Sequence, residues 1–235
     1  MTRPMIRGLY TAAAGMVAEQ ARQTQLSNDL ANAATPGYKR DRTTQTSFGD
    51  VLLSNVRTGQ AVGPVGHGPY ADATVTDLRP QGARTTEEPF DFAIEGDGFF
   101  AVQTDQGVRY TRNGQFSVSA RGTLADRAGH DVLDAGGRPI AVPPGGTVDA
   151  GRVGVFALDG ATKAGEGLFT GQATGAATGV ARQGMLEGSG VDPTRAMVEM
   201  IASLRTFESG QRAISTIDRT LERAATQVGS VSGQG

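Results

Sequence analysis

The sequence predicts an α+β fold: a discontinuous helical, coiled-coil-like domain made from both chain ends, with a mainly antiparallel β domain inserted between them. Three observations lead there. A 3–4 apolar periodicity without interior proline covers residues 5–34. A longer and stricter periodicity runs from Met197 to Val228. Between them lie short β-branched and aromatic runs separated by Gly, Pro and Asn-Gly. The chain accordingly divides into a terminal helical assembly domain (1–56 with 186–228), a linker with short extended stretches (57–89), a middle β domain (90–185) and a disordered tail (229–235).

Taken in order, the first helix carries Leu9, Ala13 and Met16 on one seam that continues to Leu30, with Gln20, Gln23 and Ser27 at its polar centre. Thr35-Pro36-Gly37-Tyr38 ends it, because Pro36 biases Thr35 away from helix and a Pro-Gly pair suits the centre of a type II turn. Gly63-Pro64 and Gly66-His67-Gly68-Pro69 punctuate the linker. In the β domain, Asp105-Gln106-Gly107 and Arg112-Asn113-Gly114 read as three-residue loops of a meander from Phe99 to Ser119. That register pairs Val102 with Tyr110, Tyr110 with Phe116 and Val108 with Val118, so that these apolar residues share a face with Phe100. Further strands are expected near Asp131–Leu133, Pro139–Val142 and Arg152–Leu158, and the Gly-, Ala- and Thr-rich stretch 160–180 reads as loop or return linker.

The last helix has Asp192 as its N-cap and Pro193 in its first turn. Met197, Met200, Leu204, Phe207, Gln211, Ile214, Asp218, Leu221, Ala225 and Val228 then alternate spacings of three and four, a 3.5-residue period with two polar breaks. Two helices with seams so interrupted bury too little apolar surface to offset an ordering cost of roughly 1–2 kcal/mol per residue. The expectation is that the termini are largely disordered in a free subunit and order on assembly. A repeated contact of that kind that does not close generates a filament.

Composition narrows the functional classes. A chain of 235 residues supports one or two domains with real cores, but 34 Gly, about twice ordinary usage, leave that core modest. The formal charge of −2, with Arg scattered among acids, excludes the electrostatic footprint of a nucleic-acid binder. Absence of Cys excludes disulfides and thiol chemistry. Glu19, Gln20, Arg22 and Gln23 interrupt the N-terminal stretch early, so neither a cleavable signal nor a membrane span is visible.

Three passages resemble the rod, hook and hook-associated family of flagellar axial proteins. The first is Met5 to Met16 running on to Asn28-Asp29-Leu30-Ala31-Asn32-Ala33-Ala34-Thr35-Pro36-Gly37-Tyr38-Lys39, which is similar to the family's N-terminal signature. The second is Phe92 to Val102 with Tyr110-Thr111-Arg112-Asn113-Gly114-Gln115-Phe116. The third runs from Gly184 through Leu186-Glu187-Gly188-Ser189-Gly190 to Thr216, departing from the pattern at Gly190 and Phe207. The resemblance implies a basal-body rod subunit with one middle domain, which assembles with copies of itself and neighbouring axial proteins. It implies export by the flagellar type III apparatus without a cleaved signal, no membrane insertion, and a place in the periplasmic or wall-spanning part of the flagellum. A hook or hook-associated component is the alternative. The expected assembly interface comprises Leu9, Ala13, Met16, Leu26, Asn28, Leu30, Asn32, Pro36, Gly37 and Tyr38 with Met197, Met200, Leu204, Phe207, Ile214 and Leu221.

Residues that could carry chemistry are few. Asp91, Glu95 and Asp97 could pair as in a glycoside hydrolase, but Gly96 and Gly98 mark Asp97 as a turn residue. His67 and His130 lack ligand spacing, and Ser117 and Ser189 lack an activating neighbour. No catalytic, cofactor-binding or metal residue is assigned, and an enzyme acting on peptidoglycan through Glu95 is the remote reading. Lys39, Arg40 and Arg42 read as solvated loop charge, with a contact to acidic residues of a neighbouring subunit as the functional alternative.

Overall fold

The computed structural model describes residues 2–47, 51–54, 61–65 and 69–231. The chain divides into two units: a helical unit of Met1–Asn28, Arg42–Val75 and Thr194–Gly235, and a β unit of Asp29–Asp41 and Thr76–Pro193.

The helical unit contains α1 (Thr2–Ala31) and α2 (Pro193–Val231). It also holds two short two-stranded ribbons, β1 (Asp41–Ser47) with β4 (Pro69–Thr76), and the antiparallel pair β2 (Val51–Ser54) with β3 (Ala61–Val65). The helices run antiparallel: a Cβ at Gly8 would stand 3.6 Å from Ile217 Cδ1, Met16 lies against Gly210, and Ser203 Oγ donates to Glu19 Oε2 at 2.5 Å. The less exposed side of α2 recurs at Ala196, Met200, Ser203, Phe207, Gly210, Ile214, Ile217 and Leu221. The 3.5-residue period is therefore present, but of the expected seam residues whose side chains are described, Met200, Phe207, Ile214 and Leu221 lie on it, while the side chains of Ala225 and Val228 lie outside the described residues. Met197, Leu204, Gln211 and Asp218 are each one residue away and exposed. Apolarity pointed to the larger neighbours, whereas the inner positions at 196, 203 and 210 are small residues that let the helices approach. On α1 the same correction applies: Gln20 and Ser27 face outward, and Ala18 and Leu26 are buried.

Within the stretch 57–89, β3, β4 and a further strand at Ala83–Thr85 are extended, while residues 57–60 and 66–68, with His67, lie outside the described residues. Of the expected tail, 229–231 belong to α2 and 232–235 lie outside the described residues.

The β unit comprises β5 (Ala83–Thr85), β6 (Phe92–Glu95), β7 (Phe99–Thr104), β8 (Gly107–Thr111), β9 (Ser117–Val118), β10 (Leu124–Ala125), β11 (Asp131–Val132), β12 (Val155–Gly165), β13 (Leu168–Ala176), β14 (Val180–Gln183) and β15 (Met185–Glu187). Seven of these form one antiparallel sheet in the order β12-β13-β8-β7-β11-β10-β9, and the start of β12 also pairs with the start of β7, so that four strands close on themselves. β6 pairs with β14, and β5 with β15. Phe92, Ile94, Phe100, Val102, Phe116, Leu124, Val132 and Ile140 form the centre of the core. There Phe100 and Phe116 meet edge to face at 5.3 Å.

The meander differs from expectation in register and in neighbours. Thr104 pairs with Gly107 across a two-residue loop, which sets Val102 opposite Arg109 rather than Tyr110. Thr104 Oγ1 closes that loop, donating to the Gly107 carbonyl at 2.7 Å and accepting from Gln106 N at 3.3 Å. A one-residue slip puts Tyr110 on the other face, where its ring lies 6.1 Å from that of Phe156. The slip is harmless because β7 is buried on both faces, through Phe99 and Ala101 as well as Phe100 and Val102. β8 pairs onward with β13, not β9, and β9 pairs with β10. Gly114 runs instead beside Phe92, whose amide donates to the Gly114 carbonyl at 2.9 Å. Gly114 serves close approach rather than a left-handed turn, since a Cβ there would stand 1.6 Å from the Phe92 carbonyl oxygen.

The stretch 160–180, expected as loop, is mostly the hairpin β12–β13, turned by Glu166 (φ +52°) and Gly167 (φ +73°). Its outer side chains are exposed, so the sequence carries no alternation to announce strands. Ala150–Arg152 is a 3₁₀ turn, and Pro139 and Ala141 make single bridges rather than a strand.

Candidate functional site

In the β unit, the segment that follows α1 packs against the segment that precedes α2. Thr35-Pro36-Gly37-Tyr38 is the expected turn: Tyr38 N donates to the Thr35 carbonyl at 3.3 Å and Gly37 has φ +66°, as a type II turn requires. A Cβ on Gly37 would stand 2.2 Å from the Arg112 carbonyl oxygen, so only glycine lets this turn lie against the end of β8. Backbone bonds then join the two segments, Gly37 N to the Glu187 carbonyl at 3.0 Å and Gly190 N to the Tyr38 carbonyl at 2.8 Å. Ser189 Oγ adds a bond to the Asn32 carbonyl at 2.9 Å.

This junction encloses a charged cluster. Lys39, Arg112 and Glu187 are all buried. Lys39 Nζ meets Glu187 Oε1 at 2.7 Å, and Arg112 Nη1 meets Glu187 Oε2 at 3.1 Å. Backbone groups take several of the remaining valences, while Arg112 Nε is buried without a hydrogen-bond partner among the described residues. Lys39 Nζ donates to the Arg79 carbonyl at 2.7 Å, Arg112 Nη2 donates to the Gly96 carbonyl at 3.0 Å, and Gln81 N donates to Glu187 Oε1 at 2.8 Å. The guanidinium stands 5.3 Å from the centre of the Phe99 ring. Two cations thus share one carboxylate. Burial holds the Lys39 amine below its ordinary pKa and the nearby Arg112 charge adds to that, against the pull of Glu187. Lys39 is therefore no solvated loop charge: its partners lie far off in sequence and only the fold assembles them.

A second cluster adjoins it. Tyr38 Oη donates to Asp29 Oδ1 at 3.0 Å, and Arg40 Nε stands 3.5 Å from Asp29 Oδ2. Lys163 Nζ, 2.9 Å from Asp41 Oδ2, lies 4.5 Å over the Tyr38 ring. Burial raises the pKa of both Asp29 and Tyr38, and the Asp29 carboxylate raises that of Tyr38 further.

The helical unit carries the other candidate surface. Met197, Val198, Ile201 and Leu204 are 44–62% exposed on α2, and Tyr10 and Val17, seven residues apart on α1, are 72% and 66% exposed. Among the expected interface residues, Leu26 and Gly37 are buried; Asn28, Met197 and Leu204 are exposed. Leu9, Ala13, Met16, Leu30, Asn32, Pro36, Tyr38, Met200, Phe207, Ile214 and Leu221 are half-buried. Tyr10, Val17, Val198 and Ile201, exposed here as well, are not among the expected interface residues, although apolar residues just beside a periodic seam are the available signal.

The residues weighed for chemistry are not brought together. Asp91 is buried, whereas Glu95 is exposed and paired with Arg182 at 2.9 Å. His130 Nδ1 lies 2.9 Å from Asp126 Oδ2 beside a polar cavity also lined by Thr35, Asn113 and Glu166. Among the described residues no group of three acidic, His or Cys side chains could hold a metal, and no helix is long and apolar enough to cross a membrane.

Comparison with known proteins gives three regional family matches: flagella basal body rod protein at residues 9–39, the flagellar hook protein FlgE/F/G D1 domain at 93–160, and flagellar basal body rod FlgEFG protein C-terminal at 182–227. The flagellar basal-body rod protein FlgG of Bacillus subtilis is 30% identical over 93% of this chain and 97% of its own length. The chain belongs to the flagellar basal-body rod protein family. FlgF of Escherichia coli is 32% identical over 94% of this chain and 97% of its own, and the flagellar hook-basal body complex protein FlhO of Bacillus subtilis is 30% identical over 97% and 100%. Membership makes the chain a structural component of the flagellar basal body. Each of the three rod-family regions supplies one member of the buried cluster: Lys39 from the first, Arg112 from the second and Glu187 from the third.

Proposed function

We propose that this rod subunit assembles through its terminal helices into a helical shaft that transmits torque. One observation carries the reading: α1 and α2 contact each other along an inner face and still present apolar residues outward, Tyr10 and Val17 on one helix and Met197, Val198, Ile201 and Leu204 on the other. An outward apolar face on a helix asks for a partner. Two different faces on one molecule meet heterologously on successive copies, and such a contact propagates as a helical array. The inner pair supports coiled-coil packing, since Ala196, Met200, Ser203 and Phe207 keep its spacing. The partners are copies of this chain and neighbouring axial proteins, reached after export through the flagellar type III apparatus without a cleaved signal, in the part of the flagellum that crosses the periplasm or wall. Leu9, Ala13, Asn28, Leu30, Asn32 and Pro36 belong to the same assembly domain, as do Met200, Ile214 and Leu221.

The double substitution Ile201→Asp with Leu204→Asp tests this. The variant subunit unfolds at the same denaturant concentration as wild type in its β unit, is absent from isolated basal bodies, and leaves cells non-motile. Basal bodies that contain the variant at wild-type amounts would overturn the assignment.

A further inference from the structure

We infer that Lys39, Arg112 and Glu187 form a latch that orders the roots of both terminal helices on the β unit before any neighbouring copy is present. The inference rests on the reading that α1 and α2 serve assembly, and concerns where their ordering begins.

Glu187 is the keystone. Its carboxylate takes Lys39, Arg112 and the Gln81 amide, while its carbonyl accepts the Gly37 amide. The cluster therefore joins the segment leaving α1, the end of β8 and the segment leading to α2. Within the β unit, Gly188 N bonds the Gly82 carbonyl at 2.9 Å and Gly190 N bonds the Tyr38 carbonyl at 2.8 Å. Val191 is buried two residues before α2 begins. Every one of these groups belongs to the β unit, so none requires a second copy. Starting a helix is the unfavourable step, and extending one from an end already held is far easier. Held roots therefore let α1 and α2 lengthen from root to tip when a neighbour arrives.

The charges make the latch all-or-none. The three side chains together carry one excess positive charge, two cations against the Glu187 carboxylate, with the Asp77 charge acting on Lys39 from outside the trio. Glu187→Gln raises that excess to two, Lys39→Met reduces it to zero, and the double variant returns it to one. Removing one partner of a buried pair costs about 3–5 kcal/mol, equivalent to roughly 100-fold or more in the opening equilibrium.

Hydrogen exchange on the dilute, full-length subunit tests the inference. The amides of Gly37, Tyr38, Gly188 and Gly190 exchange as slowly as those of Phe92 and Leu133 in the β core, and protection falls along each helix toward its free tip. Glu187→Gln speeds exchange at the four root amides at least 100-fold, and adding Lys39→Met recovers part of the loss. Root amides that exchange as fast as the helix tips while Phe92 stays protected would overturn the latch, even if Glu187→Gln proves too unstable to study. Failure of the assembly reading looks different. Ile201→Asp with Leu204→Asp would then enter basal bodies normally, with root protection unaffected.

Discussion

Lys39 and Tyr38 are neighbours in the chain, and burial moves their pKa values in opposite directions. The Tyr38 phenol lies above its ordinary 10.0, so the stability linked to it is complete below pH 10 and falls as pH rises further, because the unfolded chain ionises first. The Lys39 amine lies below its ordinary 10.5, so between its folded value and 10.5 the unfolded chain holds a proton that the folded one has shed, and stability rises with pH. The two slopes oppose each other. Unfolding free energies measured from about pH 8 to pH 11 therefore separate them: Tyr38→Phe loses less stability than wild type as pH climbs, and Lys39→Met loses more. Parallel profiles for all three proteins would refute the assignment. None of this was legible from Lys39-Arg40-Arg42 read as a string, because the carboxylate that buries Lys39 lies 148 positions away.

Elements were legible where local chemistry decides them. The Pro-Gly turn at 36–37 and the start of α2 after Asp192 stand where their residue types require, and α1 ends at Ala31, just ahead of that turn. Strand partners were not, because β8 with β13 and Gly114 with Phe92 are pairings no local pattern encodes. Of the candidate site, the period of the α2 seam was readable, but its inner positions fall on Ala196, Ser203 and Gly210, which a search for large apolar residues skips. Two substitutions measure these element-level forces. Gly114→Ala drives a methyl group into the Phe92 carbonyl, which either severs that bridge or shifts β6, at a cost of about 3 kcal/mol. Glu166→Asn puts a residue tolerant of positive φ at the β12–β13 turn and adds about 0.5–1 kcal/mol. Denaturant midpoints check both, and a neutral Gly114→Ala would contradict the close approach described.

For the molecule as a whole, the two units are stabilised unequally. The β unit centres on Phe92, Phe100, Val102, Leu124 and Ile140 together with the buried charged cluster. In the helical unit, α1 spans 30 residues and α2 spans 39, yet the apolar side chains described there as buried are Ala18, Leu26 and Ala196. Ordering that much backbone costs roughly 1–2 kcal/mol per residue, which three small contributions and a row of half-buried neighbours do not offset. The helices of a dilute subunit therefore open far more often than the β unit. Limited trypsin digestion reads this directly, because Arg22, Arg205 and Arg212 lie along the helices while Arg112 is buried in the β unit. Cleavage at the three helical sites precedes any cut at Lys39 or Arg112 in the free subunit, and the same three sites resist trypsin in intact basal bodies, where the proposed assembly covers outward faces such as Met197, Ile201 and Leu204. Helical sites that resist as firmly as the β unit in dilute solution would mean that the helices are stable alone, and assembly would then add contacts without creating order.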